Sequence, residues 1–500
     1  MSATSEGYLW TPVGETAGLE TDAVVSSTPN SSLLSAYDVI VIGAGFAGLV
    51  AARDLSRNLH LRVLLLEGRD RIGGRTWTAK ALGEEFEMGG TWVHWNQPHV
   101  FTEIRRYGLQ KNLKTSAGTA EVETTRYTPA FSPSQEINGE EMNAAVQRAA
   151  DAFFSIDGLS SRKLMPYPHD PLREPALWAQ YDHLSAKDRL DQLDIPQLEK
   201  DLFDAMISSF GAVPGDQCAF TEVLRWYALG GHSMAGVFEL AGTYKLGKGG
   251  TTSLAQSILG EYGGHMVLNA VVDRVVQNGT SVTVSTKAGH QIEAKYLVLT
   301  IPLNCLSEVS FSPALSPRRE EAIKAGYINK GTKFHFHLAQ EHPGWFSVAS
   351  GYGSSPWCFA FSDHNGTTAK KGTFCIGFGY GSHLTNCHAN DEIISTFKEH
   401  MKPGSEVMAY LTHDWVTDEF AKGTWSCWGP GSMIQSLEEL QKSDGRVLFA
   451  SADWADGWRG FIDGAIERGM LACKDVERLL SQEKISPRMW VIGMFKRRHR

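Results

Sequence analysis

The stretch that most constrains the fold lies near the amino end, where residues 37–78 read YDVIVIGAGFAGLVAARDLSRNLHLRVLLLEGRDRIGGRTWT. An apolar, β-branched run that ends at Ile42 predicts a buried strand, and Gly43, Gly45 and Gly48 follow it directly. The first glycine permits a tight turn, the second lets the backbone approach a pyrophosphate, and the third lets the next helix lie close to the strand. Free N–H groups at the start of that helix can bind phosphate oxygens. The stretch therefore predicts a βαβ unit that binds a dinucleotide.

The second half of this stretch indicates which dinucleotide is bound. Residues 61–66 predict a second strand, and Glu67 at its end can accept a hydrogen bond from a ribose 2′-OH. A carboxylate there would repel the 2′-phosphate of NADP, which leaves NAD and FAD. The next segment holds three arginines around two glycines, namely Arg69, Arg71, Gly73, Gly74 and Arg75. Fixed cations beside a backbone that a ligand can approach closely suit the additional phosphate and ribityl contacts of FAD.

This arginine–glycine segment resembles the second motif of the FAD-dependent amine oxidase family, which includes monoamine, polyamine and L-amino-acid oxidases. Two more blocks carry the resemblance: residues 265–302 predict successive strands, and residues 445–469 predict a strand with a glycine-rich entry into a helix. The chain most resembles the fungal-type flavin monoamine oxidases. The resemblance implies an α/β, Rossmann-like FAD-binding domain of the p-hydroxybenzoate-hydroxylase type, interleaved with an α+β substrate domain of mixed sheet and helices.

The resemblance also implies FAD contacts outside the first stretch. The backbone of Val272 matches the position that pairs with the adenine, Asp453 matches an acid near the pyrophosphate, and Ile462 matches a backbone N–H donor to the isoalloxazine carbonyl. The predicted FAD-binding set is Gly43, Gly45, Gly48, Glu67, Arg69, Gly73, Gly74, Arg75, Gly90, Thr91, Trp92, Val272, Asp453 and Ile462.

The attachment of FAD is predicted to be non-covalent. Mammalian-type members of the family link FAD to a cysteine, and the matching position here is Thr424, whose hydroxyl is a far weaker nucleophile than a thiol. Cys427 is the nearest thiol, but in an extended strand it would lie about 10 Å further along and on the opposite face.

Three residues are predicted to act in catalysis. The resemblance places Lys333 beside N5 of FAD, where it would bind a water, and strand alternation puts His335 and His337 on the same face. Trp425 and Phe461 match the two sides of an aromatic cage whose members are commonly tyrosines in the family. Strand alternation favours Trp425 over the nearby Trp428 for this cage, because the two side chains would point in opposite directions.

The reaction implied by the resemblance is oxidative deamination. A neutral amine gives a hydride from its α-carbon to FAD, the imine is hydrolysed, and O₂ takes the electrons to give hydrogen peroxide. Phe210, Val237 and Leu240, together with Trp425 and Phe461, are the predicted substrate-binding residues. An L-amino-acid or polyamine oxidase is one alternative; the former needs an arginine for the carboxylate, and Arg225 is the one candidate. A flavin-bound interaction protein without turnover is the other.

We expect both domains to be built from separate pieces of the chain. The predicted boundaries are an amino-terminal arm (1–35), an FAD-binding domain (36–95, 240–308 and 440–485), a substrate-binding domain (96–239 and 309–439) and a basic carboxy-terminal tail (486–500). The arm is rich in Ser, Thr, Gly and Glu, so we predict that it is loosely ordered. The first substrate piece predicts mainly helices, and the second is rich in strands and aromatic residues.

The amino-acid composition limits which partners the protein can bind and which cellular compartment it suits. A net charge of −9 and the lack of an evident basic face argue against nucleic acid as a partner. Seven scattered cysteines without a C-x-x-C pair favour a reducing compartment and no structural zinc, and the two strand histidines have no evident third metal ligand. We find neither a secretory signal nor a transmembrane segment.

We therefore expect a cytoplasmic or peroxisomal protein, although it does not end in the peroxisomal tripeptide of several fungal members. The expected partners are a small amine and O₂, and a homodimer is left open.

Overall fold

The computed structural model describes residues 2–116, 121–363, 371–381 and 383–496, with side chains described as far as residue 483. Its strands, numbered in chain order, are β1 Ser2–Ala3, β2 Tyr8–Thr11, β3 Gly14–Ala17, β4 Glu20–Thr21, β5 Ala36–Ile42, β6 Val63–Leu66, β7 Thr78–Ala81, β8 Glu84–Glu87, β9 Leu113–Thr115, β10 Val122–Thr128, β11 Gln135–Ile137, β12 Tyr244–Leu246, β13 His265–Val267, β14 Val272–Gln277, β15 Val282–Thr286, β16 Gln291–Leu299, β17 Ser310–Ser312, β18 Thr332–Leu338, β19 Gly344–Ala349, β20 Trp357–Ser362, β21 Thr373–Gly379, β22 Val407–Thr412 and β23 Val447–Phe449.

The α-helices of the same residues are α1 Phe46–Arg57, α2 Pro98–Arg106, α3 Gly139–Phe153, α4 Ser161–Leu164, α5 Ala186–Asp191, α6 Gln197–Gly211, α7 Phe220–Leu229, α8 Met234–Gly242, α9 Gly250–Gly260, α10 Pro317–Ala325, α11 Asn390–His400, α12 Ser432–Gln441 and α13 Ile462–Lys496. Short 3-10 helices span Asn30–Ser32, Leu109–Asn112, Ala179–Tyr181, Leu303–Glu308 and Ala452–Trp454.

An eight-stranded sheet contains the predicted dinucleotide unit. Its order is β13-β6-β5-β16-β15-β14-β17, and β23 also pairs with β16. β5 lies between β6 and β16 and is parallel to both. Val39, Ile40, Val41 and Ile42 are all buried, because a parallel strand with both faces covered has no polar side. α1 starts right after the glycine turn and packs against α13, which confirms the predicted order of strand, glycines, helix and strand.

A nine-stranded sheet with the order β11-β10-β19-β20-β21-β18-β22-β2-β3 forms a second layer of structure. β18 lies inside it and is antiparallel to β21 and β22. Phe334, Phe336 and Leu338 point from one face of β18 into a core that includes Trp357 and Phe397, which confirms the predicted alternation. α3 and α6 pack against each other, in agreement with the predicted helical character of this part of the chain.

The amino-terminal segment corrects one prediction. Residues 2–21 form β1 to β4 instead of a loosely ordered arm. β2 pairs with β22 of the nine-stranded sheet, and β4 pairs with β7, which follows the arginine–glycine segment. Polar composition was misleading here because a few residues anchor the segment: Tyr8 and Leu19 are buried, and Glu6 binds arginines.

The other end of the chain is a long helix, α13, which continues to Lys496. The predicted basic tail therefore begins inside a helix, and residues 497–500 lie outside the described part. Among the described residues, no helix has both the length and the apolar character needed to cross a membrane.

Candidate active site

A cavity of about 1000 Å³ brings together most of the predicted site residues. Its walls come from the ends of β5 and β6, from the arginine–glycine segment, from α3, α6 and α8, and from one face of the nine-stranded sheet. The predicted residues that line it are Gly43, Gly45, Glu67, Arg69, Gly73, Gly74, Arg75, Gly90, Thr91, Trp92, Phe210, Val272, Lys333, Trp425, Phe461 and Ile462. Gly48, Asp453, Val237 and Leu240 are not among the lining residues.

The glycine turn at one end of the cavity leaves room for a ligand. A Cβ on Gly48 would lie 1.8 Å from the Gly43 carbonyl oxygen, so this glycine is needed for the close packing of α1 on β5. A Cβ on Gly45 would meet nothing closer than the Gly74 Cα at 3.8 Å. The protein's own packing therefore does not require a glycine at position 45, and the space beside it is free for a bound group such as a pyrophosphate.

Glu67 lies at the end of β6 with both carboxylate oxygens fixed by the backbone. Ala44 donates its N–H to Oε2 at 2.5 Å, and Arg69 donates its N–H to Oε1 at 2.8 Å. Each oxygen has a second lone pair, so the buried carboxylate can still accept a ribose hydroxyl.

One ion pair and one bond to a backbone carbonyl hold Arg75 at this end. Arg75 donates to Asp453 Oδ1 at 2.8 Å and to the Thr424 carbonyl at 2.8 Å. The other oxygen of Asp453 accepts from the Leu303 N–H at 2.8 Å. Asp453 does not line the cavity but holds Arg75, which does, and its place near the pyrophosphate stays a prediction.

Lys333 reaches the cavity from β18 and has three protein acceptors. Its Nζ donates to the carbonyls of Glu87 and Gly89 at 2.7 and 2.8 Å and to Thr91 Oγ1 at 2.6 Å. The ammonium also lies 5.4 Å from the centre of the Trp92 ring. These contacts fix the position of Nζ and use the three N–H groups of an ammonium, so a bound water would have to replace one of them.

Burial lowers the pKa of Lys333 to about 7. The Glu87 carboxylate and Asp363 oppose this shift by favouring the charged form, whereas Lys245 reinforces it. Burial also lowers the pKa of His335, on the same face of β18, well below its ordinary value. The site therefore contains a lysine that can change its charge near neutral pH.

The other end of the cavity is aromatic. Trp425 donates its indole N–H to the Phe210 carbonyl at 2.6 Å, which fixes the plane of the ring. Phe461, just before α13, packs edge-on against Trp226 at 5.8 Å and Trp458 at 5.0 Å between ring centres. Two rings of the predicted cage therefore line the same cavity as Lys333.

Comparison with known proteins identifies the family. The sequence profile of the family described as "Flavin containing amine oxidoreductase" matches residues 46–477, which is most of the chain. The chain belongs to this flavin-containing amine oxidoreductase family. Its cofactor is FAD, and the free space beside Gly45, the Glu67 acceptor and the paired arginines fit the ribose and pyrophosphate of that cofactor.

Several similar proteins are named for reactions of nitrogen-containing compounds. The chain is 36% identical over 441 residues to a pseudooxynicotine dehydrogenase from a Pseudomonas species, covering 87% of this chain and 84% of the relative. It is 31% identical over 456 residues to a nicotine dehydrogenase from Pseudomonas putida, with 89% of each chain covered. The fold is shared with solved structures of putrescine oxidase bound to putrescine (TM-score 0.73, 20% identity, 88% of this chain and 99% of that chain) and of cyclohexylamine oxidase from Brevibacterium oxydans (TM-score 0.71, 18% identity, 89% and 100%).

Trp425 lies in a loop, so the assumption that it lies in an extended strand was wrong. Residues 424–429 form no strand, so the alternation used to choose between Trp425 and Trp428 does not apply. The choice itself agrees with the cavity: Trp425 lines it, whereas Trp428 is buried with its ring under the Arg459 guanidinium at 4.3 Å. Cys427 is buried with its Sγ 3.5 Å from Cys218 Sγ and does not line the cavity.

Two predicted substrate residues are corrected by the geometry of α8. Val237 and Leu240 are buried and turned away from the cavity, while Phe238 and Ala241, one position further along the helix, line it. α8 is apolar on both sides except for Glu239, which lines the cavity and is the one charged residue of the helix that could have indicated its orientation.

Several lining residues of the substrate end were missed. They are large and apolar: Met142, Val146, Met206, Trp226, Met234, Phe346, Val348, Phe359, Phe361 and Phe378. Period-two spacing in β20 does place Phe359 and Phe361 on one face, where the rings stack at 6.2 Å, and this signal could have grouped them. No such signal joins residues from helices and strands that are far apart in the chain.

The candidate arginine for a substrate carboxylate and the two candidate metal-binding histidines all contact other parts of the protein. Arg225 binds Glu222 at 2.7 Å and the Gly457 carbonyl at 2.7 Å, and it does not line the cavity. The rings of His335 and His337 bond to different backbone carbonyls, those of Glu87 and Lys371.

One group of three potential metal ligands, Glu6, His413 and Asp418, occurs among the described residues. Arg69 contacts both of its carboxylates. A guanidinium at this place disfavours a metal ion.

Proposed function

We propose that this protein oxidises neutral aryl-alkyl monoamines with FAD as the electron acceptor and O₂ as the oxidant that restores it. The overall reaction for a primary amine would be RCH₂NH₂ + O₂ + H₂O → RCHO + NH₃ + H₂O₂. The main support for the proposal is that aromatic and aliphatic side chains line the cavity around Trp425 and Phe461. Bound FAD supplies the two-electron acceptor, and the chain's own residues decide which amine reaches it.

The apolar walls select the protonation state of the substrate. An ammonium would lose its hydration on entering between Phe210, Phe359 and Trp425, whereas the neutral amine loses much less. Only the neutral amine has a free lone pair to assist loss of a hydride from the α-carbon. The lining thus favours the reactive form.

The two aromatic rings orient the amine. Trp425 is locked by its hydrogen bond to Phe210, and Phe461 is held by Trp226 and Trp458. Rings that are fixed before binding exclude water and present a flat face to the substrate at little cost in side-chain entropy. An aryl group on the substrate would find further ring contacts along β20 and β21.

Lys333 is proposed to act in the oxidative half of the cycle. Its fixed ammonium is a positive charge in a buried site, where it would stabilise negative charge that develops as O₂ is reduced. Its anchoring to the Glu87 and Gly89 carbonyls keeps that charge at one place in the cavity wall.

The charge of the substrate end separates monoamines from other amines. Among the described lining residues from α3, α6, α7 and α8, Glu239 is the one that carries a charge, and its side chain is 54% exposed. The second ammonium of a diamine could reach only this one carboxylate among those helices, and water screens a pair with so exposed a group. An amino acid would find no cation on those helices for its carboxylate, because Arg225 is held elsewhere. The pseudooxynicotine and nicotine relatives, whose named substrates join an aromatic ring to an amine nitrogen, support the aryl-alkyl class.

A substrate panel tests the proposal. The purified holoenzyme should release peroxide with phenethylamine and with its N-methyl derivative, and kcat/KM should be lower for putrescine by about a hundredfold, which corresponds to roughly 3 kcal/mol of discrimination. Comparable kcat/KM values for putrescine and phenethylamine would contradict the monoamine assignment. Turnover with an artificial electron acceptor but without peroxide in air would retain amine oxidation and contradict the role of O₂.

A further inference from the structure

The amino-terminal strap, defined as residues 2–23, contacts four consecutive residues of the arginine–glycine segment. Thr4 Oγ1 and the Ser5 N–H donate to the Asp70 carboxylate at 2.6 and 2.7 Å. Ile72 donates its N–H to the Ala23 carbonyl at 3.0 Å. Between these contacts, Glu6 binds the side chains at positions 69 and 71. The strap therefore covers the outside of a segment whose inner side lines the FAD cavity.

Glu6 is the central contact of the strap. One of its carboxylate oxygens accepts from Arg69 Nη1, and the other accepts from Nε and Nη2 of Arg71, with the Nε contact at 3.1 Å. The side chains of Arg69 and Arg71 are 3% and 0% exposed. Buried guanidinium groups need an anion, and Glu6 is the carboxylate that both of them share.

Two routes lead from Glu6 to the wall of the cavity. Arg69 lines the cavity itself and is held from its other side by Asp418 at 2.7 and 2.8 Å. Arg71 does not line the cavity, but its Nη1 donates to the Gly74 carbonyl at 2.8 Å and fixes the turn opposite Gly45. The Glu6 carboxylate thus orients one cation and one backbone turn of the FAD end.

We propose that the amino-terminal strap is a working part of the FAD site, in which Glu6 is a positioning residue that holds Arg69 and, through Arg71, the Gly73–Gly74 turn in the geometry that retains FAD. Without the Glu6 carboxylate, Arg71 loses its anionic partner in a buried place and has to move or to recruit water. Either movement releases the Gly74 carbonyl and widens the turn. FAD should then dissociate faster, although Glu6 lies behind the wall of its cavity.

The chain offers a matched control in the same strap. Glu15, on β3, binds His388 at 3.2 Å and Asn390 at 3.0 Å, and its side chain is 43% exposed. These partners lie in the substrate part of the chain. Glu15→Gln removes a carboxylate from the strap without touching the arginine–glycine segment.

The test compares FAD release from full-length holoenzyme variants, followed by the rise in flavin fluorescence after dilution. Glu6→Gln should release FAD faster than the parent by about tenfold or more, and Glu15→Gln should stay within about twofold of it. Glu6→Asp keeps the charge but withdraws it by one methylene, so it should fold and still release FAD faster. Thermal unfolding of the same samples measures any loss of stability separately.

Two results would overturn the proposal. One is release of FAD at the parent rate from both Glu6→Gln and Glu6→Asp, even if their unfolding temperature falls, because the strap would then serve stability alone. The other is equally fast release from Glu15→Gln, because the effect would then belong to the strap's general attachment and not to Glu6. A variant with Glu6→Gln and Arg71→Met removes both charges; it should regain stability but keep the fast release, since Gly74 still lacks its donor.

Discussion

The two ends of the cavity are built in opposite ways. The FAD end consists of short contiguous segments whose carboxylates and guanidinium groups are fixed by ion pairs and backbone hydrogen bonds, as for Glu67 and Arg75. The substrate end is assembled from α3, α6, α7, α8 and four strands of the nine-stranded sheet, and ring packing is its main contact. We therefore expect FAD binding to depend on the fixed polar groups of one end and substrate choice to depend on the apolar walls of the other.

Gly45 and Gly48 should respond differently to the same substitution, because one faces the space for the ligand and the other faces the protein's own backbone. Gly45→Ala should weaken FAD binding by about a hundredfold, since the added methyl group occupies space that only the ligand needs. It should leave the unfolding temperature of the apoprotein unchanged, because nothing in the protein lies closer than 3.8 Å. Gly48→Ala should instead lower that temperature, because its Cβ would lie 1.8 Å from a carbonyl oxygen. Fluorescence titration with FAD and thermal unfolding measure the two effects, and equal losses of stability would contradict the distinction.

Lys333 lies where the two ends meet, so its removal should separate the two halves of the catalytic cycle. Lys333→Met should keep FAD bound and slow reoxidation by O₂ by about tenfold or more, with a smaller effect on amine oxidation. Stopped-flow measurement of each half-reaction provides the check. Slowing of amine oxidation alone would remove the lysine from its proposed role.

The charge of Lys333 adds a pH dependence to the same experiment. Because burial lowers its pKa to about 7, the lysine is charged below that pH and becomes neutral above it. Reoxidation by O₂ should therefore be fast in mildly acidic buffer and fall as the pH rises through about 7. Lys333→Met should abolish this step in the pH profile, and a profile that the substitution leaves unchanged would assign the titration to another group.

Two tryptophans in the same loop, Trp425 and Trp428, should differ in their effect on substrate binding. Trp425→Phe should raise KM for phenethylamine roughly fivefold, because it removes part of the ring surface and the hydrogen bond that holds it. Trp428→Phe should change the unfolding temperature but not KM, because that ring packs on Arg459 outside the cavity. Steady-state kinetics on both variants decide the assignment, which would be reversed if the Trp428 variant alone changed KM.

Thr424 lies where the Trp425 loop meets the FAD end, and it bears on how FAD is attached. Thr424 lines the cavity, and its hydroxyl donates to Asn329 Oδ1 at 2.6 Å, so FAD should be non-covalent. Acid precipitation of the holoenzyme should leave a colourless pellet and free FAD in the supernatant. A yellow pellet would show a covalent link, and peptide mass analysis would then locate it.

Most of the residues predicted for the FAD end line one cavity, and there is a physical reason why the sequence could group them. Its parts are consecutive, and each glycine or charged residue there has a role that its immediate neighbours indicate, as for Gly45 and Glu67. Of the residues predicted for the substrate end, Phe210 and the motif residues Lys333, Trp425 and Phe461 line the cavity. Side chains on α8 were misassigned because most of that helix is apolar and its single charged residue, Glu239, did not enter the prediction.

Two other predictions were wrong because the deciding contacts are distant in the chain. The amino-terminal strap has the composition of a disordered segment, yet Glu6 orders it through arginines more than sixty positions away. The irregular backbone around Trp425 has the spacing of a strand, but the residues pack on separate neighbours instead of joining a sheet. In each case the deciding contact is distant in the chain, so no local pattern could reveal it.

The proposed apolar end should admit a neutral aryl-alkyl amine and reject its carboxylated analogue. Phenethylamine and phenylalanine form the most direct test because they differ only by the carboxylate. On anaerobic mixing with the yellow holoenzyme, phenethylamine should bleach the colour at a rate that rises with pH as its ammonium, with a pKa of about 10 by analogy with lysine, loses a proton. Phenylalanine should leave the colour unchanged over the same time. Bleaching by phenylalanine at a comparable rate, or a rate for phenethylamine that does not change between neutral and alkaline pH, would contradict the account.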